Sequence, residues 1–230
     1  MTQEKNQIKP SLLNRPLKQY TKGEEIFNAV THGVGALLSI IGGSVIVTLA
    51  AVWGGQREVV ACTIYAISLV LLYTMSTLYH AFPFPRVKAV FRVFDHSTVF
   101  LLIAGTYTPF MLIGLAGSTK GVIIFTVVWA VALIGVLLNS ISVNRFAKLS
   151  LILYLVMGWS VIFAIGDVVA SLPAAGVWLL ILGGVAYTGG VAFYLAKKIK
   201  FMHSIWHLFV LLGSVLHYFC IALYVLPRPQ

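Results

Sequence analysis

The sequence predicts an all-α polytopic membrane protein: a seven-transmembrane-helix bundle with its N-terminus in the cytoplasm and its C-terminus outside. Hydrophobic residues make up 60% of the 230 residues and charged residues only 10%, whereas a soluble domain carries roughly 25% charge. The apolar residues fall into seven runs, each long enough to cross a hydrocarbon core of about 30 Å. The basic residues lie between these runs and mainly on one side, as the positive-inside rule describes.

The elements follow in order along the chain. A basic cytoplasmic tail, 1–26, has no apolar stretch of the kind a cleavable signal peptide requires. A transmembrane domain is predicted over 27–226, and 227–230 form a short external tail. The loops are short, so consecutive helices are expected to run antiparallel. The predicted spans are 27–52, 59–81, 93–115, 121–141, 150–171, 177–196 and 203–226.

The charge distribution sets the predicted orientation. Of the 16 Lys and Arg residues, 13 lie in the N-terminal tail and the second, fourth and sixth loops with their edges. Only Arg57, Lys120 and Arg228 lie on the opposite side. The net charge of +10 is therefore interpreted as a topology signal, and no nucleic-acid partner is expected.

Several residues inside the spans have simple packing interpretations. Glycines such as Gly43 and Gly183 are expected to let helices approach closely. Pro109 is expected to kink the third helix, because proline cannot complete the helical hydrogen-bond pattern. Cys62 and Cys220 are expected to be buried thiols, with a disulfide between them as the alternative.

Histidines gather near the cytoplasmic ends of the predicted second and seventh helices. His80 lies near the end of the second helix, and His203 and His207 lie near the start of the seventh, four positions apart on one face. Three imidazoles with an open fourth position are a common catalytic Zn²⁺ site. The pattern therefore predicts a zinc centre. The ordinary alternative is that these histidines are interfacial anchors or hydrogen-bonded packing residues.

Two further polar residues are expected at the same depth. Asp95 lies near the start of the third helix, and a charge inside a span costs about 2.5–3.5 kcal/mol unless a cavity or a partner accommodates it. Asp95 is therefore predicted to hold a catalytic water or to act as its general base. Ser76 lies one helical turn before His80 and is predicted to hydrogen-bond the same water or a substrate carbonyl.

The first helix opens with a polar stripe formed by Glu24, Asn28 and His32, each four positions after the last. Glu24 and its neighbour Glu25 have a structural interpretation as N-terminal acids that favour the helix macrodipole. The alternative is that the stripe supports the metal ligands or lines their cavity.

As an ordered set, these residues resemble the bacterial hemolysin III family, which belongs with the progestin and adiponectin receptors. The match runs from about residue 22 to 226. The motifs that carry it are Glu24-Glu25 with Asn28 and Thr31-His32, Ser76-Thr77-Leu78-Tyr79-His80, Phe94-Asp95-His96, Gly105-Thr106-Tyr107-Thr108-Pro109-Phe110 and His203-Ser204-Ile205-Trp206-His207.

The resemblance implies a seven-helix bundle in the bacterial inner (plasma) membrane with zinc held by His80, His203 and His207, and with Asp95 and Ser76 at the family's other site positions. It also implies a metal-dependent hydrolase of membrane lipid amides or esters, similar to the alkaline ceramidases, that affects membrane homeostasis. Two alternatives stay open. The hemolysin label implies a pore or cytolysin, and a structural zinc would suit a lipid sensor without catalysis.

Overall fold

The computed structural model of the protein describes residues 20–196 and 198–226, and this part of the chain is helical almost throughout. The predictions for the tail up to residue 19, for Lys197 and for 227–230 lie outside the described residues. The α-helices are α1 (Lys22–Trp53), α2 (Gln56–Ala81), α3 (Pro85–Pro109), α4 (Thr119–Trp159), α5 (Ile165–Ser171), α6 (Ala174–Leu195) and α7 (Met202–Cys220).

Within the described residues, six helical segments are long and apolar enough to cross a membrane. Large apolar side chains cover the outside of the bundle, among them Leu37, Ile41, Leu137 and Phe163. A water-soluble monomer rarely exposes apolar surface on this scale. The predicted class, an all-helical membrane protein with several spans, is therefore confirmed.

A polar cap marks the start of α1, and prolines mark both ends of α3. Thr21 caps α1 in a reciprocal box with Glu24, and Pro85 occupies the first turn of α3, where a missing N–H costs nothing. At Pro109 the expected kink takes a specific form. The α-helix ends there, and the chain continues as a π-helical turn over Phe110–Gly114.

The fourth and fifth predicted spans form one helical segment that folds back on itself. Ser142 has an extended backbone, with φ −169° and ψ 104°, and interrupts the helix. Across this break the Ser150 hydroxyl donates to Asn139 Oδ1 at 3.0 Å, although eleven residues of straight helix would separate the two by about 16 Å. At the far ends, Lys120 Nζ lies 3.2 Å from Asp167 Oδ1.

The break divides the segment into two arms that run in opposite directions. The loop expected between residues 141 and 150 is therefore a short interruption, after which the helix resumes at once. The second arm lies alongside α3, where the Tyr154 hydroxyl donates to the His96 carbonyl at 2.6 Å and the Tyr107 hydroxyl donates to the Gly158 carbonyl at 2.9 Å.

Small residues allow the closest helix contacts, as the sequence indicated. A Cβ placed on Gly43 of α1 would lie 2.9 Å from the Ala66 Cβ of α2, and a Cβ on Gly183 of α6 would overlap the His217 ring of α7. Cys62 and Cys220 are buried free thiols. The alternative of a disulfide between them is therefore not realised.

Four helix ends meet at one end of the bundle: the N-termini of α1, α3 and α7 and the C-terminus of α2. We call this region the histidine end. Glu24 of α1 joins two of these termini, because its Oε1 accepts from the Phe201 backbone N–H just before α7 at 2.8 Å. The expectation that the polar residues share one depth is realised here.

Candidate metal centre

The three predicted ligands lie together at the histidine end. His80 comes from the last turn of α2, and His203 and His207 come from the first two turns of α7. One ligand nitrogen from each ring lies within 4.8 Å of the other two, and the group could hold a metal ion. The i, i+4 spacing therefore has the predicted effect, because it turns two imidazoles of one helix toward a third on another helix.

One distance within the group matches the spacing of two nitrogens on a shared metal ion. The Nε2 atoms of His203 and His207 are 3.2 Å apart, whereas two nitrogens bonded to one zinc at about 2.0–2.1 Å are expected to be about 3.3 Å apart. In addition, His80 Nε2 is buried and has no hydrogen-bond partner within the described chain. A buried nitrogen without a partner is costly, and coordination would satisfy it.

The other nitrogen of His80 contacts a residue that sequence analysis treated only as part of a helix N-terminus. His80 Nδ1 lies 2.6 Å from Oε2 of Glu25, whose other oxygen lies 2.8 Å from Lys88 Nζ. The sequence did contain a signal for Glu25, because it precedes Asn28 by three positions and His32 by seven and so shares their helix face.

Asp95 and Ser76 lie beside the histidine group and line the same cavity as His203 and His207. The Asp95 carboxylate lies 3.3 Å from His96 Nδ1. This placement suits the general-base and hydrogen-bonding roles predicted for the pair, which stay predictions.

The polar stripe of α1 has three different surroundings. Asn28 is fully buried, and its Oδ1 accepts from the Ser204 hydroxyl of α7 at 2.6 Å. His32 stacks on His207 with ring centroids 3.6 Å apart and lines the cavity. Glu24 belongs to the cap of α1 and to the junction with α7, so the structure supports its interpretation as a helix-capping residue.

Tyr20, just before α1, covers the group from the side of the N-terminal tail. Its ring stacks on His203 at 5.0 Å and meets His80 edge-on at 5.5 Å. Burial raises the pKa of the Tyr20 phenol above its ordinary value, so the group stays neutral. Tyr20 was not predicted from the sequence, because a lone aromatic residue in a polar tail shows no spacing pattern that would indicate a site.

A cavity of about 150 Å³ extends from the histidine group into the bundle. Its polar end is formed by Ser76, Asp95 and the histidines. The remainder is mainly apolar and is lined from α3, the second arm of α4, α6 and α7 by residues that include Leu102, Ile103, Leu151, Leu155, Trp159 and Val191. Side chains that could hold a metal ion therefore adjoin an apolar chamber of the kind that ligand sites use.

The fold and the site define a multi-pass helical membrane protein with a three-histidine group at one end of an apolar cavity. A family model described as "Haemolysin-III related" matches residues 20–218. The chain belongs to this haemolysin-III-related family, as the ordered motifs indicated.

Its similarity to individual proteins covers nearly the whole chain. It is 44% identical over 211 residues to "Hemolysin-3" of Bacillus cereus, covering 92% of this chain and 95% of that protein. It is 45% identical over 210 residues to "Hemolysin-3 homolog" of Bacillus subtilis (strain 168), covering 91% and 98%. A more distant similarity, 27% over 214 residues, links it to the human "Monocyte to macrophage differentiation factor", covering 90% and 86%.

Proposed function

We propose that the protein is a zinc-dependent hydrolase of lipid amides or esters in the bacterial inner membrane. The observation that carries the proposal is the junction of the histidine group with Asp95, Ser76 and an apolar cavity. A bilayer lipid offers both an acyl chain for such a cavity and a carbonyl for its polar end. Spanning helices enclose the cavity, so membrane lipids are the fitting ligands that have access to it.

In this proposal His80, His203 and His207 hold the zinc. When bound, zinc supplies Lewis-acid polarisation of a carbonyl and acidifies a water molecule. Asp95 accepts the proton of the attacking water, and Ser76 orients that water or the substrate carbonyl through its hydroxyl. The apolar walls hold the acyl chain and exclude bulk water. Each turnover adds one water across the amide or ester bond and releases a fatty acid with an amine or an alcohol.

The proposal includes seven crossings of the membrane. The segment from α4 to α5 comprises 53 residues, about 80 Å of helix, which is far more than one crossing of a core of about 30 Å needs. Because its two arms run in opposite directions, we infer that each arm crosses once. The distribution of the basic residues supports a histidine end that faces the cytoplasm. Labelling of single cysteines at positions 57 and 145 by a membrane-impermeant reagent tests this, with outside access expected only at position 57.

The test of hydrolysis pairs metal analysis with a lipid screen. Purified protein is expected to contain one zinc per chain, and the His203→Ala variant is expected to lose it. A panel of lipid amides and esters followed by mass spectrometry should reveal released fatty acid. Asp167→Asn, at the opposite end of the bundle, is the matched control for a lost carboxylate and should keep both properties. A wild-type protein without stoichiometric metal would contradict the proposal.

The Asp95→Asn variant separates catalysis from a structural zinc. If Asp95 is the general base, this variant keeps its zinc and its fold but loses turnover. Full turnover in a zinc-loaded Asp95→Asn protein would remove Asp95 from the mechanism. Failure of all ligand variants to fold, with no turnover by the wild type, would favour a lipid sensor with structural zinc.

The name of the Bacillus cereus relative, "Hemolysin-3", supports a second candidate function, permeabilisation of membranes. A pore needs a continuous polar path, whereas the lining of this cavity is mainly apolar. Release of a fluorescent dye from liposomes by the purified protein, compared with a control membrane protein, distinguishes the two functions.

A further inference from the structure

A partly buried ion pair behind His80 joins three helices. Glu25 of α1 lies between His80 of α2 and Lys88 of α3, with contacts of 2.6 Å and 2.8 Å to its two oxygens. Lys88 is itself held in place, because Nζ donates to the Tyr79 carbonyl at 2.9 Å and lies 4.8 Å from the centre of the Tyr79 ring. The Lys88 side chain is only 11% exposed and that of Glu25 19%. The arrangement thus differs from a surface salt bridge, whose members are mobile and screened by solvent.

The contacts determine which nitrogen of His80 carries the proton. An ionised carboxylate can only accept, so His80 Nδ1 donates to Glu25. The Asn28 amide nitrogen lies 3.4 Å from the same atom. That contact is longer and cannot be a second hydrogen bond, since a protonated Nδ1 has no lone pair to offer. His80 Nε2 therefore has the free lone pair, and it is the buried nitrogen that has no partner within the described chain.

We propose that Glu25 and Lys88 are positioning residues that hold His80 in the Nδ1-protonated form, with its Nε2 available to a metal ion. This inference rests on the proposed zinc site and adds two residues to it. Carboxylates that accept the second N–H of a ligating histidine fix its tautomer and ring orientation and raise its basicity. Lys88 acts one step further away, because its charge balances the partly buried carboxylate and its two contacts with Tyr79 fix where that charge lies.

Lys88 also shows why one basic residue near the second loop differs from the others. Sequence analysis counted it with Arg86 and Arg92 as a topology signal. Its Nζ instead points into the bundle, toward Glu25 and the end of α2. A residue that only sets the orientation of the chain in the membrane does not need to be buried, whereas a residue that orders a metal ligand must lie beside that ligand inside the bundle.

The experiment measures zinc affinity in the purified full-length protein by competition with a chromophoric chelator. Glu25→Met removes the acceptor at similar size and is expected to weaken zinc binding about 10–100-fold, the usual effect of losing such a partner. Glu25→Gln keeps an acceptor oxygen but loses the charge, so a smaller loss is expected. Lys88→Met should weaken binding in the same direction, and the double variant Glu25→Met/Lys88→Met should resemble Glu25→Met alone.

Cobalt substitution gives a readout independent of affinity and of turnover. The visible spectrum of the Co²⁺-loaded protein reports ligand geometry, and Glu25→Met is expected to alter it. Asp167→Asn provides the matched control, because it breaks the exposed ion pair with Lys120 at the opposite end of the bundle. That control is expected to keep wild-type zinc affinity and an unchanged spectrum.

The outcomes separate this inference from the proposed function. If the wild type binds zinc and Glu25→Met binds it equally well with the same cobalt spectrum, the positioning role is wrong and the metal site stands. If the wild type binds no zinc, both are wrong. An equal loss in Asp167→Asn would show that any broken ion pair weakens the site and would also overturn the inference. If Glu25→Met does not fold, Glu25→Gln and Lys88→Met decide the question.

Discussion

Replacing Glu24 by alanine tests how the first and last helices are joined. Glu24 Oε2 accepts from the Thr21 backbone N–H at 2.9 Å and from its hydroxyl at 2.8 Å, and Oε1 accepts from the Phe201 N–H at 2.8 Å. Loss of the capping interaction costs about 1 kcal/mol. Loss of the interhelical bond to a charged acceptor costs roughly 1–2 kcal/mol more, at the low end of the range because Phe201 is 44% exposed.

The expected total for Glu24→Ala is about 2–3 kcal/mol, or a fall in Tm of roughly 4–12 °C for a chain of this size. Glu58→Ala is the matched control. Glu58 makes the same reach-back bond to its helix N-terminus, to the Gly55 N–H at 2.8 Å. The Glu58 bond is local and exposed, so a loss of about 0.5–1 kcal/mol is expected. Thermal unfolding of both variants in one detergent, followed by intrinsic fluorescence, measures the difference.

The refuting result is a Glu24→Ala protein that unfolds at the same temperature as Glu58→Ala. In that case the bond to Phe201 contributes nothing, and the start of α7 is held by other contacts. A second consequence concerns the metal. Because His203 lies two residues after Phe201, Glu24→Ala is also expected to weaken zinc binding, whereas Glu58→Ala should leave it unchanged.

Three further perturbations follow from contacts described above. Gly43→Val should destabilise the protein by about 1–3 kcal/mol, because even a Cβ would lie 2.9 Å from the Ala66 Cβ of α2. Gly166→Val is the control: a Cβ there would have no neighbour within 4 Å, so a much smaller effect is expected in the same unfolding assay. Tyr20→Ala should speed zinc removal by a chelator several-fold, since the ring covers two of the proposed ligands; an unchanged rate would show that zinc leaves by another route. Leu155→Trp should fill part of the apolar cavity and reduce lipid turnover at least tenfold while zinc content stays at one per chain; undiminished turnover would place the acyl chain elsewhere.

Much of the site follows from the sequence because helical geometry is periodic and the membrane fixes depth. Once the spans are placed, His80 and the pair on α7 must lie near one end of the bundle. The spacing of four residues puts His203 and His207 on one face of α7, and it does the same for Ser76 and His80 on α2. The structure brings these three together, and places Asp95 and Ser76 beside them. Depth and helix face, however, do not specify which of two adjacent side chains reaches a neighbour.

That limit explains the interpretation of Glu24 and Glu25. Adjacent residues on a helix differ by about 100° in direction, so one of the pair faces α7 and the other faces α2. From the sequence, both acids were interpreted as N-terminal residues that favour the macrodipole, and only Glu24 was also placed in the polar stripe. The packing of α1 against both neighbours decided the matter, and such packing depends on contacts between residues 55 to 177 positions apart.

The form of the break at Ser142 could not be predicted, for a different reason. Arg145 and Lys148 indicated a loop, and polar residues around them supported it. The structure needs only one extended residue to reverse the chain, since Asn139 and Ser150 close the turn with a side-chain hydrogen bond. The composition of this stretch indicates a turn but not its length, because the helix resumes after the break and contains helix-forming residues such as Lys148.

The join between α1 and α7 has a consequence for how the protein is made. Helices α1 and α7 are far apart in the sequence but meet at the histidine end, and two of the three clustered histidines belong to α7. Until residue 207 has been synthesised and inserted, the group does not exist, and Asn28 and Glu24 lack their partners Ser204 and Phe201. A product that ends before residue 207 would therefore lack the histidine group.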